Sequence, residues 1–116
     1  MAVFGDNVVH AWCNLRPMGT FGALDSYNIS SVTDDANGDY TFNFSDNFAN
    51  ANYAALMGCA PGNGRWGSIK TSDYNDANSE QSLVTYSTSA CRLLQSSNVT
   101  GYDSTRFTCA FVGNSY

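Results

Sequence analysis

Residues 31–46, SSVTDDANGDYTFNFS, alternate, turn and alternate again. Tyr40, Phe42 and Phe44 fall on one face and Thr41, Asn43 and Ser45 on the other, the period-two signature of a half-buried strand. Within 34–39, Asn37-Gly38 supplies residues that tolerate positive φ, as a tight hairpin requires. The arms of that hairpin are then 25–33 and 40–45. The same alternation runs through VVHAWCNL (8–15), with Val9, Ala11, Cys13 and Leu15 on one face and Val8, His10, Trp12 and Asn14 on the other. RPMGTFG (16–22) holds a proline and two glycines and reads as a loop. NYAALMGCA (52–60) is apolar enough for a short helix, but Gly58 and the following Pro61 favour a strand. Residues 61–81 are rich in Gly, Asn, Asp and Ser and read as the longest loop. SLVTYSTSACRLLQ (82–95) divides into two strands around Thr88-Ser89, 98–104 is a turn, and 105–113 closes the chain with Phe107, Cys109 and Phe111 on one side. Strands recurring at intervals of about ten residues predict an all-β, mainly antiparallel fold, a sandwich or jelly-roll-like single domain over residues 1–116.

Composition narrows the function. A chain of 116 residues is one domain, able to bury roughly 65% of its unfolded surface. Only 13% of residues are charged and the net charge is −5. Five basic residues, spread from Arg16 to Arg106, make no patch, which argues against nucleic acid. No segment is long enough to cross a bilayer. The start, MAVFGDNVVHAWCNL, lacks the basic region and long apolar run of a secretory signal. A protein made in a cytosol follows, with Cys13, Cys59, Cys91 and Cys109 as buried free thiols; outside a cell they can pair as disulfides. The wide cysteine spacing argues against zinc, and no cofactor is expected.

Candidate chemistry is sparse. His10, the single histidine, lies in a predicted strand with no nucleophile or orienting partner identified by spacing, and reads as a structural or interface residue. The aspartates Asp34, Asp35, Asp39, Asp73, Asp76 and Asp103 fall in predicted turns, where backbone bonding explains them. GNGRWGSIKTSDYND is the segment with a ligand-binding character. Trp66 and Tyr74 can stack on sugar faces, while Arg65, Asp73 and Asn75 can bond hydroxyls. An inter-subunit contact and plain packing explain the same aromatics. Trp12, Tyr40, Phe42, Phe44, Phe107 and Phe111 are expected in the core or at a subunit interface.

HAWCNL with a following Gly-Thr, then DSYNISSVTDDANGDYTFNF and ANANYA, resembles a module of tailed bacteriophages found in tail-fibre and other virion structural proteins. That module runs K-A-W-V-N-F, N-G-T-G-T, S-x-N-V-S-S-I-T-D, G-D-Y-T-V-N-F and D-A-N-Y-A. Ala11-Trp12 and Asn14 match its first element. Ser26, Asn28, Ser30, Ser31, Thr33 and Asp34 match the third, and Gly38-Asp39-Tyr40-Thr41 with Asn43-Phe44 the fourth. Ala51-Asn52-Tyr53-Ala54 matches the fifth, and CAFVGN (109–114) loosely resembles the module's close. The resemblance is carried by residues 10–54. It departs at 15–24, where Leu15-Arg16-Pro17-Met18 replaces a glycine-rich stretch.

The resemblance implies a non-enzymatic structural protein of a phage particle, made in the host bacterial cytoplasm and located in the virion. Small β domains leave edge strands that closed oligomers hide, and phage surface proteins, to which the resemblance points, are commonly trimers, so a homotrimer is expected. A stand-alone unit of this size suits a capsid decoration (cement) protein stabilising the head through contacts with the major capsid protein. The alternative is a tail-fibre or adhesin tip binding host surface glycans through residues 61–81.

Overall fold

The computed structural model describes residues 9–36, 38–60, 68–70, 86–97, 100–101 and 105–114. Among them the fold is all-β, with nine strands and no helix. The strands are β1 (Val9–Arg16), β2 (Gly22–Tyr27), β3 (Ile29–Ala36), β4 (Asp39–Phe44), β5 (Ala54–Ala60), β6 (Ser68–Lys70), β7 (Ala90–Ser97), β8 (Thr100–Gly101) and β9 (Arg106–Val112). They pair antiparallel in two sheets. Sheet A runs β2-β1-β9-β5; sheet B runs β3-β4-β7-β6, with β8 also against β7. The two sheets form a β-sandwich, and the space between them is the core.

Alternation decides which side chains fill that space. Ala11, Cys13 and Leu15 of β1, and Phe107, Cys109 and Phe111 of β9, point inward from sheet A and are buried. Tyr40, Phe42 and Phe44 of β4, with Cys91 and Leu93 of β7, answer from sheet B. The rings meet across the gap. Tyr40 packs edge-on against Phe107 at 5.5 Å, Phe42 stacks on Phe107 at 6.0 Å, and Phe44 meets Phe111 edge-on at 5.0 Å. Phe48 and Tyr53 close one end, stacked at 4.1 Å. Tyr53 Oη donates to the carbonyls of Ser87 (2.8 Å) and Ala90 (3.0 Å), so its buried hydroxyl is satisfied.

The hairpin turn is tighter than the sequence suggests. β3 runs to Ala36, which pairs with Asp39, and Gly38 before Asp39 adopts φ +72°. Asp34, Asp35 and Asp39 therefore lie in strands, not in a turn. Asp39 is buried on the outward side of sheet B, where its carboxylate accepts two bonds from Arg92, Nε at 2.8 Å and Nη2 at 2.5 Å. The fork geometry holds both partners in register between β4 and β7.

Three further expectations change. Residues 25–33 are two strands in different sheets, because Asn28 takes φ +57° and turns the chain from sheet A to sheet B. Its side chain and carbonyl supply the bonds that the broken strand loses. Nδ2 donates to the carbonyls of His10 and Asp46 (3.1 Å each), Oδ1 accepts from Asp46 N (2.7 Å), and the Asn28 carbonyl accepts from Ser45 N (3.1 Å). Val9 does not share the buried face of Ala11. The register slips between them, Val9 pairs with Val112, and it is 43% exposed. The 61–81 segment contains a strand, β6, paired with β7. The chain turns at Thr88-Ser89, with Ser87 N donating to the Ala90 carbonyl at 3.0 Å and Tyr86 bridging Cys91, while residues 82–85 of the first strand read there lie outside the described residues.

Phe107 touches both Tyr40 and Phe42 across the sandwich. Phe107→Ala should therefore cost about 3–5 kcal/mol in denaturant unfolding, whereas Trp12→Ala on the outward face should cost under about 1 kcal/mol. Equal losses would place Trp12 in the core.

Candidate binding surface

The residues expected together in the core or at an interface separate by sheet face. Tyr40, Phe42, Phe44, Phe107 and Phe111 are core. Trp12 is not: it points out of sheet A and is 36% exposed. The parity of β1 requires this, since Ala11 and Cys13 on either side of it face inward. Arg65, Trp66, Asp73, Tyr74 and Asn75 lie outside the described residues, as does the side chain of Cys59.

His10 is fixed structurally. Its Nε2 donates to the Asp46 carbonyl at 2.8 Å, so the proton sits on that nitrogen, and its ring meets Phe48 edge-on at 4.4 Å. It belongs to the Asn28 latch that joins the ends of β1, β2 and β4.

Cys13, Cys91 and Cys109 are free thiols in the core, with Cys13 and Cys109 directly opposite on β1 and β9. Burial pushes the Cys13 thiol up to about 11 and Cys91 up to about 12. Burial also raises Cys109, with the neighbouring Cys13 and Cys91 adding to it. Such thiols are poor nucleophiles at neutral pH. Among the described residues, no group of three His, Cys, Asp or Glu side chains is placed to hold a metal ion.

What remains is the outward face of sheet A. Tyr27 lies opposite Trp12, Trp12 opposite Ala110, and Ala110 opposite Leu56, so these four residues form one row across all four strands. Tyr27 and Leu56 are each 58% exposed. Val9, Val112 and Ala54 make a second apolar row beside it. On the other side, Asp25, Asn14, Thr108 and Gly58 are opposite one another in a polar row. Arg106 Nη1 donates to Asn14 Oδ1 at 3.5 Å, and Thr108 Oγ1 to the Gly58 carbonyl at 3.4 Å. A shallow trough of about 300 Å³ runs over β5 and β9, lined by Leu56, Met57, Gly58, Thr108, Cys109 and Ala110. Gly58 is needed on its floor, since a Cβ there would stand 2.9 Å from Thr108 Oγ1.

Sheet B presents a different outward face. Asn43 Nδ2 donates to Ser31 Oγ (3.1 Å) and Thr33 Oγ1 (3.2 Å), and Thr41 Oγ1 to Asp35 Oδ2 (2.5 Å). Its short polar side chains bond one another along the strands. The outward aromatics Trp12 and Tyr27 both belong to sheet A.

The alternation in 8–15 puts Trp12 and Asn14 on one face, but the sequence reading takes Trp12 for core or interface and misses Tyr27, Leu56, Asp25 and Thr108. Their strands carry no sign of their pairing partners, and the row exists only through cross-strand register.

Comparisons of the chain with protein-family models, with curated proteins and with solved structures found no match.

The raised thiols set a pH dependence. The unfolded chain forms thiolates from about pH 8.5, whereas the folded protein holds these protons to higher pH. Stability is therefore full below that range and falls as pH rises toward 11 to 12, where Cys13 and Cys91 ionise in the fold. Thermal unfolding in reducing buffer should give a level Tm from pH 6 to 8 and a decline above pH 9. A disulfide-exchange reagent at pH 8 should label at most Cys59 rapidly in the native protein.

Proposed function

We propose that the chain is a non-enzymatic structural component of a tailed-bacteriophage particle, acting as a homotrimeric decoration protein on the head. The observation that carries this reading is the contrast between its sheet edges. β3, an edge of sheet B, has two bulges and the carboxylates Asp34 and Asp35, devices that discourage strand addition. β5, an edge of sheet A, pairs among the described residues with β9 alone and has no charged residue over Ala54–Ala60. An uncharged edge of seven residues suits burial against a neighbouring subunit, and a heterologous contact of that kind gives a trimeric ring when each copy is rotated by a third of a turn from the last.

The elements that resemble the phage module support the same reading, because they sit where the sandwich is made. Asn28 turns the chain between sheets, Gly38 forms the hairpin, Tyr40 and Phe44 fill the core, and Tyr53 caps its end. Contacts with the major capsid protein, repeated around a shell, would then add through multivalency. A second placement, at a fibre tip binding host glycans, is favoured by the exposed Trp12–Tyr27 pair.

Two measurements test the proposal. Sedimentation equilibrium should give a mass about three times the 12.5 kDa of the chain, and Ala54→Lys, which puts a charge on β5, should shift it to monomer. Antibody-gold labelling of intact particles should decorate the head. Label on the tail would move the protein to the fibre, and no label on any particle would remove the virion assignment.

A further inference from the structure

We infer that the outward face of sheet A is a carbohydrate-binding platform for a neutral, linear oligosaccharide. The class of ligand is the one that the fibre-tip placement calls for, and the inference rests on that placement only for its biological setting. Binding itself is a property of the isolated protein.

The size of the face comes first. Four strands of roughly seven residues, about 4.8 Å apart and rising about 3.3 Å per residue, offer about 450 Å². A stable protein partner needs about 800 Å² per side. The face is thus small for a protein and ample for a short sugar chain.

Its chemistry comes second. The row Tyr27, Trp12, Ala110, Leu56 spans about 14 Å across the sheet. The polar row Asp25, Asn14, Thr108, Gly58 runs parallel to it, two residues or about 6.6 Å along the strands. A pyranose ring has the same division, an apolar C–H face bounded by an edge of hydroxyls. Laid along the rows, its C–H face stacks on Trp12 and Tyr27. Its hydroxyls meet the Asn14 amide, the Asp25 carboxylate and the Thr108 hydroxyl. The trough over Gly58 and Ala110 continues the apolar row toward Leu56, and its volume of about 300 Å³ accepts a further ring.

Charge points the same way. Asp25 is the one formally charged residue in the two rows, and Arg106 stands beside them on Asn14. A face so nearly neutral has no means of holding a phosphate backbone or a polyanion. Each site binds weakly, as shallow open faces do, and several copies on one particle supply avidity.

The test uses the 116-residue chain. A glycan array carrying neutral linear saccharides, maltohexaose, cellohexaose, laminarihexaose and dextran among them, together with bacterial surface polysaccharides, selects the ligand. Trp66→Phe then leaves Trp12 as the single tryptophan, and its fluorescence should change saturably on titration with the selected saccharide. Tyr27→Ala should reduce binding by about tenfold or more with an unchanged Tm, and Trp12→Ala should abolish array binding. Ala110→Leu, which puts bulk on the trough lining, should weaken longer saccharides more than disaccharides.

The inference is overturned if no saccharide on the array binds, or if binding survives Trp12→Ala and Tyr27→Ala and is lost in Trp66→Phe. The second result would put the site in residues 61–81. Saccharide binding by a protein whose gold label lies on the head would end the fibre-tip placement and leave the platform standing. A tail label without saccharide binding would do the reverse.

Discussion

The contact on which the structure depends is the aromatic seam between β4 and β9. Tyr40, Phe42 and Phe44 on one strand meet Phe107 and Phe111 on the other, with ring centroids 5.0–6.0 Å apart. A chain this small has one modest core, and these five rings, with Phe48 and Tyr53, make up most of its apolar bulk. Edge-to-face and stacked rings add about 0.5–1.5 kcal/mol per pair to their area burial. β4 and β9 are far apart in sequence, so the seam is also the long-range contact that folding must find. Everything outward of it, including the rows on sheet A, is held in place by the alternation that the seam enforces.

Polar groups specify what the rings only hold together. Asn28 turns the chain from one sheet to the other and binds His10 and Asp46 in doing so. Asp39 is buried beside a half-exposed Arg92 in a two-bond fork that fixes β4 against β7. A carboxylate desolvated to that degree is costly without its partner, so the pair sets register more than it adds stability. Apolar packing alone tolerates a strand slipped by two residues; these groups do not.

Alternation made much of this legible. The inward faces of β1, β4 and β9 and the turn at Gly38 follow from the order of apolar and polar residues, because each strand's period is local. The junction at Asn28 was hidden because 25–33 reads as one β-prone run, and an asparagine in the left-handed region leaves no mark on hydrophobic pattern. The aspartates at 34, 35 and 39 looked like turn residues because Asp is common there; the bulge and the Arg92 fork that place them in strands are tertiary facts. Val9 failed for the same reason, as one bulge at His10 reverses its face.

The candidate site lies at the far end of that scale. A row across a sheet is made of residues from four strands, and neither Tyr27 nor Leu56 is near Trp12 in sequence. Their alignment needs three registers to be right at once. Yet it costs the fold little, since outward positions on a sandwich are free of the packing demands of the core. A sheet that must keep Ala11, Cys13 and Phe111 inside is indifferent to whether Trp or Thr stands between them outside. Sheet B spends its outward positions on Ser, Thr and Asn that bond one another. Sheet A instead carries a tryptophan, a tyrosine and a leucine in water, where core packing gives no reason for them. Packing within the domain does not account for that difference between its two faces, and it is the reason the outward face of sheet A is the one taken as a candidate binding surface.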